Sequence, residues 1–335
     1  MGQMAATTGL DSARKITGDL LFPSAMAVDA ANRVPAGHLD ALAEAGLYGL
    51  TGPVAAGGLG GGPPDLCAVT EILASGCLAT TFVWMQHHRA VRAVAAGPPA
   101  IRDRWLAGLC RGQVRAGIAL GGALPGPPLL RARAARRGGY LLDGRSPWVT
   151  GWGLVDLIYT AARDDHGDLV TMLVPARDED VLAARPVTPV ATNASCTVEL
   201  TFRDVFVPAD QVLEVITLPD WQAGDARGLR PNGSLALGVA ARCCALAGPG
   251  ALDDELARRR LALVEAAPAD LPAARASAAE LALRAAAMLV TTAGSTSILA
   301  GEHPQRLARE ALFLLVFGSR PAIRQHLAAL LTSAT

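Results

Sequence analysis

The chain lacks an excess of charge of either sign. Thirty basic and thirty acidic residues over 335 positions give a formal net charge of +0 and a sequence pI of about 7.0. A nucleic-acid binder carries a basic stripe, and none is present here. It also lacks paired cysteine spacing. The six cysteines (67, 77, 110, 196, 243 and 244) form no Cys-x-x-Cys motif, so neither a zinc ribbon nor a redox pair is written in them. Cys243-Cys244 lie together in a helical stretch and read as small apolar packing residues. His87-His88 are adjacent, point to different sides of a helix and have no third ligand at i+4, so no metal is expected. The glycine-rich run Gly57–Gly62 lacks the Lys-Ser/Thr of a phosphate loop and no strand precedes it; it reads as a turn. The N-terminus shows no charged-then-apolar leader, which predicts a cytoplasmic protein. The long uncharged stretch Ala285–Gly301 contains Thr291, Thr292, Ser295, Thr296 and Ser297, too polar to predict a membrane span.

What is present is a change of period. Residues 1–113 follow helical spacing. Pro35 opens one helix with Leu39, Leu42 and Ala43 as its apolar stripe, and Asp65 is placed to cap another carrying Leu66, Val69, Ile72 and Leu73. From 114 to 213 the period falls to two. Leu130, Ala132 and Ala134 alternate with charged residues, and Val170–Val174 and Thr197–Phe202 continue as strands. From 214 to 335 helical spacing returns, with Ser319 placed to cap a last helix at Pro321. Helices, then strands, then helices predict an α+β fold whose central domain is a small antiparallel β-barrel.

Within the β block, residues 139–152 read as strand, Asp143-Gly144 turn, strand. Trp148 and Thr150, two apart on a strand, are expected to share one face. They would present an aromatic wall and a hydroxyl to one flat ligand.

Several motifs in order give the chain a resemblance to the acyl-CoA dehydrogenase family over nearly its whole length. Gly46-Leu47-Tyr48-Gly49-Leu50 followed by Gly57-Gly58-Leu59-Gly60 resembles the family's first glycine segment. Glu71-Ile72-Leu73-Ala74 is similar to its "EELA", and Trp105–Leu109 with Gly112 resembles the helix before the β domain. Gly144 with Trp148-Val149-Thr150 resembles "G.K.WITN", with Gly151 in place of the Asn. Val198–Phe202 and Val205-Phe206-Val207-Pro208 resemble the exit from the β domain, and Arg309-Glu310 the "RDA" of the last helices.

That resemblance implies FAD as cofactor and oxidation of the Cα–Cβ bond of an acyl thioester, with a glutamate taking the α-proton. It implies flavin contacts at Leu120, Gly121, Trp148, Val149, Thr150 and Gly151, and substrate contacts at Phe317 and Gly318. Arg230 would match a family arginine near the active site. It also implies a homo-oligomer, dimer or tetramer, for which the small side chains of the helices from Ser234 and Pro272 suit close packing.

The departures are as specific. The glutamate position is occupied by Gly318, and the alternative base position, before Arg230, by Leu229. Residues 119–125, Ala-Leu-Gly-Gly-Ala-Leu-Pro, carry neither the flavin-contacting Thr nor the Ser-Asp of the family. No clear counterpart of the element that reaches a neighbouring subunit's pyrophosphate lies between Arg258 and Leu271. Asp225, Glu214 and His88 are the candidate replacement bases, and Arg258, Arg259 and Arg260 the available cations for a pyrophosphate. Two readings follow. One is a flavoprotein acting, in biosynthesis, on a CoA- or carrier-protein-bound acyl thioester with a non-standard or absent base. The other is a non-redox enzyme, cyclase or dehydratase-like, or a partner subunit that has lost FAD.

Overall fold

The computed structural model describes residues 2–124 and 126–332. Helices α1 (Gly2–Ile16), α2 (Phe22–Ala31), α3 (Ala36–Glu44), α4 (Pro63–Ala74), α5 (Leu78–Ala96) and α6 (Pro99–Cys110) come first. Strands β1 (Ala116–Ala119), β2 (Leu130–Ala134), β3 (Tyr140–Val149), β4 (Leu157–Arg163), β5 (Leu169–Pro175), β6 (Leu182–Pro186), β7 (Val198–Val207) and β8 (Val212–Ile216) follow. Helices α7 (Leu218–Asp225), α8 (Leu229–Ala247), α9 (Ala251–Glu265), α10 (Leu271–Ala293), α11 (His303–Val316) and α12 (Pro321–Thr332) complete the described chain.

The sheet corrects the expected barrel. Its order is β6-β7-β3-β2-β4-β5-β8, with β1 beside β4, and the terminal strands β6 and β8 do not pair, so it stays open. It is also mixed rather than antiparallel: β1 runs parallel to β4 in the register Ala116↔Leu157 to Ala119↔Thr160. β1 enters straight from α6, and the long β2–β3 excursion before β4 supplies the crossover that a parallel pair needs.

The Asp143-Gly144 turn is a second correction. β3 runs unbroken through both residues, and the hairpin closes earlier, at Gly138 and Gly139, which adopt φ of +85 and +80°. Gly144 instead sits inside the sheet at φ +121°, where the β3–β7 register shifts between Leu142 and Gly144. Asp65 accepts from the Gly62 N–H at 2.7 Å from the third helical position, not as an N-cap. The Ser319 hydroxyl has no partner, so it does not cap α12.

α5 is buried on nearly all sides, from Leu78 to Val94, as a helix inside a core must be. It lies against α4, α6, α8, β1 and β4 and joins the three parts of the chain. His87 is one of its splices. Its Nδ1 accepts the Ala116 N–H at 3.1 Å and its Nε2 faces the Leu109 carbonyl at 3.1 Å, so the ring is neutral with the proton on Nε2. Burial pushes its pKa down to about 3.

In the C-terminal part, the alanines of α8 and α10 meet inside the protomer. Ala236, Ala240, Ala276, Ala279 and Ala282 are fully buried, and a Cβ on Gly238 would lie 2.4 Å from the Glu71 carbonyl of α4. By length and composition the segment Leu271–Ile298 reaches what a bilayer span needs, yet its face from Leu271 to Leu289 packs on α8, α11 and α12.

Candidate active site

The end of β3 is irregular where it matters. Trp148 takes φ +60°, the register against β7 shifts between Ser146 and Val149, and the indole is left 70% exposed. Thr150, just beyond the strand, is turned inward and 4% exposed. The two do not share one face, because the bulge inserts an extra half-period between them. The Thr150 hydroxyl is spent in a buried relay: it bonds the Thr197 hydroxyl at 3.2 Å, which bonds that of Ser195 at 2.9 Å.

The loop after β1 lies flat on this strand. A Cβ on Gly121 would sit 2.6 Å from the Pro147 carbonyl, and one on Gly122 2.5 Å from that of Arg145. The Gly122 N–H donates to the Ser146 hydroxyl at 3.2 Å. Two glycines therefore let the loop lie on Pro147 and Arg145, just before Trp148, while Leu120, expected at the flavin, packs instead with Ala123, Ala161, Leu169 and Trp221. Gly151, at φ +90°, donates its N–H to the Ser195 carbonyl, and its missing Cβ would lie 3.5 Å from Val83 of α5.

The C-terminus of α11 also packs on α5. Phe313 and Phe317 stack at 5.4 Å, and both set their rings edge-on to Phe82 of α5, at 5.2 and 4.7 Å. Phe82 and Val83 are neighbours, so one turn of α5 meets both Phe317 and Gly151. Buried Arg275 of α10 closes α11: its Nη2 donates to the carbonyls of Leu314 at 2.7 Å and Phe317 at 3.2 Å. Burial without a carboxylate lowers its pKa to about 10.

Gly318 follows at φ +58°, the left-handed residue that ends a helix, and a Cβ there would lie 3.0 Å from the Asn232 amide. A glutamate at this position would be strained by about 1 kcal/mol and crowded against Asn232. The backbone itself is shaped for glycine at position 318.

The other titratable groups fall in different places. Asp225 is held by two guanidiniums, Arg89 Nη1 at 3.1 Å and Arg320 Nη2, so both its oxygens are already engaged. Glu214 is exposed on the edge strand β8. His88 is buried, with Nδ1 3.2 Å from the Thr51 hydroxyl, and burial holds its pKa well below the ordinary value. Arg230 sends Nη2 to the Ala266 carbonyl at the end of α9. Two residues along a helix turn about 200°, so Arg230 and Asn232 occupy opposite sides of α8, and Arg230 does not join the Gly318 loop. Arg259 pairs with Glu255 at 3.0 Å and Arg260 with Glu71 at 2.6 Å, while Arg258 faces solvent.

Among the described residues no group of three or more His, Cys, Asp or Glu could hold a metal, and all six cysteines are free. The amides of Gly60 and Gly61 are spent on the carbonyls of Gly52 and Leu50, which leaves them no phosphate to hold. Phe82, Arg89, Trp221, Asn232, Arg275 and Arg320 carry no signal in the sequence. Each acts through a partner far along the chain, and no local motif marks it.

Residues 7–113 match the model of the acyl-CoA dehydrogenase N-terminal domain. The mitochondrial isovaleryl-CoA dehydrogenase of Oryza sativa subsp. japonica is 24% identical over 214 residues, covering 61% of this chain and 52% of that protein. The oxygenase component of an FADH(2)-dependent resorcinol hydroxylase from Rhizobium sp. (strain MTP-10005) is 30% identical over 224 residues, covering 63% of this chain and 50% of that protein. The chain thus spans about half the length of these curated relatives. The solved glutaryl-coenzyme A dehydrogenase–glutaryl-CoA complex superposes with a TM-score of 0.85 at 18% identity, over 97% of this chain and 94% of that one. FkbI, for biosynthesis of a methoxymalonyl extender unit, does so with a TM-score of 0.79 at 22% identity, over 96% and 99%. At these identities the superpositions establish the fold.

Proposed function

Since the chain is a member of the acyl-CoA dehydrogenase family, we propose that it is a biosynthetic flavoprotein acting on a CoA- or carrier-protein-bound acyl thioester. The observation that carries this is the exposed indole of Trp148, which directly follows Pro147, the residue against which the bare backbone of Gly121 lies. An aromatic face left open beside glycine backbone suits a flat ring. The ring end of FAD fits these residues. For the pyrophosphate, the solvent-facing Arg258 is the unspent cation of its run.

When bound, FAD would supply two-electron chemistry. The chain's own part is placement. Trp148 would cover one ring face, the buried Ser195–Thr197–Thr150 relay would fix the strand end beneath it, and Arg275 would hold Phe317 and Gly318 at a constant distance from α5. No carboxylate stands at Gly318, so removal of an α-proton by that route is unavailable. This favours a second reading of the same site: hydroxylation with reduced flavin and dioxygen, which needs no α-proton base, as the name of the Rhizobium relative suggests.

The test is the absorbance of the purified protein before and after FAD addition and gel filtration. Flavin bands that stay with the wild type and are lost at least tenfold more readily from Trp148→Ala are the expected result. A colourless protein that returns all added FAD to the free fraction would sink the reading.

Assembly belongs to the same proposal. Val316 of α11 is 68% exposed and Ile298, beyond α10, is 77% exposed, with Met288, Leu299 and Leu312 also exposed. Alanine faces already buried within the protomer cannot serve as the interface, but these larger side chains can. Light scattering at micromolar concentration is expected to give a dimer or tetramer; a monodisperse monomer would refute it.

A further inference from the structure

Arg89, Asp225 and Arg320 form a cluster that the site so far described does not use. Arg89 comes from α5, Asp225 ends α7 and Arg320 precedes α12, two residues after Gly318. Arg89 is clamped: its guanidinium lies 4.9 Å over the Trp221 ring and 5.7 Å over Tyr159, both buried aromatics. Its Nη1 reaches Asp225 Oδ1 at 3.1 Å, and Arg320 Nη2 reaches Oδ2. The side chains are partly withdrawn from water, 23% exposed for Arg89, 12% for Asp225 and 36% for Arg320.

Two cations and one anion leave a net charge of +1. Among the described residues Asp225 is the one carboxylate paired with either arginine. Asp225 can neutralise one of the two guanidiniums, and the second, partly dehydrated one has no anion of its own. Each guanidinium carries five donors in a fork suited to a carboxylate, and Asp225 takes one nitrogen from each. The indole Nε1 of Trp221 and the hydroxyl of Ser319, beside Arg89 and Arg320 respectively, are buried and without partners. The cluster is therefore short of one anion and long in donors, and it stands within about 7 Å of chain from Gly318.

We propose that Arg89 and Arg320 form a carboxylate receptor that selects an acyl thioester whose acyl chain ends in its own carboxylate. Asp225 is the positioning residue that holds the two guanidiniums in register. This rests on the acyl-thioester reading of the site. The carrier arm is excluded as the anion by the form of the test, because its phosphates are common to both probes.

The experiment is isothermal titration of the full chain, with FAD added, against glutaryl-CoA and pentanoyl-CoA, which differ at the chain end. The wild type is expected to bind glutaryl-CoA at least tenfold more tightly, and Arg89→Gln and Arg320→Gln to lose that preference. Arg320, the more exposed partner, keeps the test open if Arg89→Gln fails to fold. Equal wild-type affinity for the two thioesters overturns the receptor and leaves the acyl-thioester reading standing. A preference that survives both substitutions overturns it as well, as does an equal loss for both thioesters, which would assign the arginines to the carrier arm. Failure of the wild type to bind either thioester removes the underlying reading and the receptor with it.

Discussion

Gly144→Ala is expected to cost more than about 4 kcal/mol, enough to leave much of the protein unfolded or insoluble. Gly144 sits at φ +121°, a region open to glycine alone. A Cβ would lie 2.1 Å from the Leu129 carbonyl oxygen and 3.2 Å from the Leu130 Cα. Those atoms cannot retreat. Leu130 pairs with Gly144 across β2, and β7 pairs with β3 on the other side, opposite Phe202. The same glycine carries the first of the two register shifts in β3, and the second releases Trp148 to the surface. Urea denaturation of wild type and variant measures the loss. A variant within about 1 kcal/mol of wild type would show that this backbone relaxes, contrary to its pairing on both sides.

Arg306→Leu is expected to cost about 3–5 kcal/mol. Arg306 and Glu310, one turn apart on α11, are both almost fully buried, with Nη1 to Oε1 at 2.5 Å. Glu310 Oε2 and Arg306 Nε have no partner, and Arg306 Nη2 meets only the His303 ring at 3.3 Å, so each ion is the other's hydrogen-bonded counter-charge. Burial pushes the Glu310 carboxyl above its ordinary value even with Arg306 pulling it down. Removing the guanidinium leaves a buried carboxylate that must stay charged at a cost or take up a proton. The sign follows from that. A carboxyl raised in the folded state favours folding at low pH, and this contribution is lost as pH rises through the folded value. Arg306→Leu should therefore be more stable relative to wild type at pH 5 than at pH 8. The double variant Arg306→Leu/Glu310→Leu should recover most of the loss, since no charge is then stranded. Thermal melts at the two pH values decide it; a flat pH profile would mean that water reaches Glu310.

Two positions of the candidate site can be named from the amino-acid sequence. Trp148 stands out by its strand-and-motif setting, and its indole is exposed, one residue after the Pro147 against which Gly121 lies. Gly318 is placed by counting from Arg309, and it is the helix-terminating glycine next to Asn232. Expectations built on local turn chemistry and regular alternation fail. Asp143-Gly144 has the chemistry of a hairpin turn, but pairing on both flanks keeps it extended. Trp148 and Thr150 alternate correctly for a regular strand, and the bulge puts one out and the other in. Arg230, which the resemblance would place near the active site, is turned by its helix to α9.

The sequence by itself determined the helix–strand–helix order, because period is a local property and 3.6 and 2 are distinguishable within a dozen residues. It also determined that position 318, to which the resemblance assigns the base, is a glycine. Tertiary structure alone decided that the sheet stays open, since strand order and edges depend on which distant segments pair. It alone gathered Arg89, Asp225 and Arg320, whose ion pairs join residues 136 and 95 apart in the chain. Charge pairing over such distances leaves no periodic trace. It becomes visible only when packing brings the helices together.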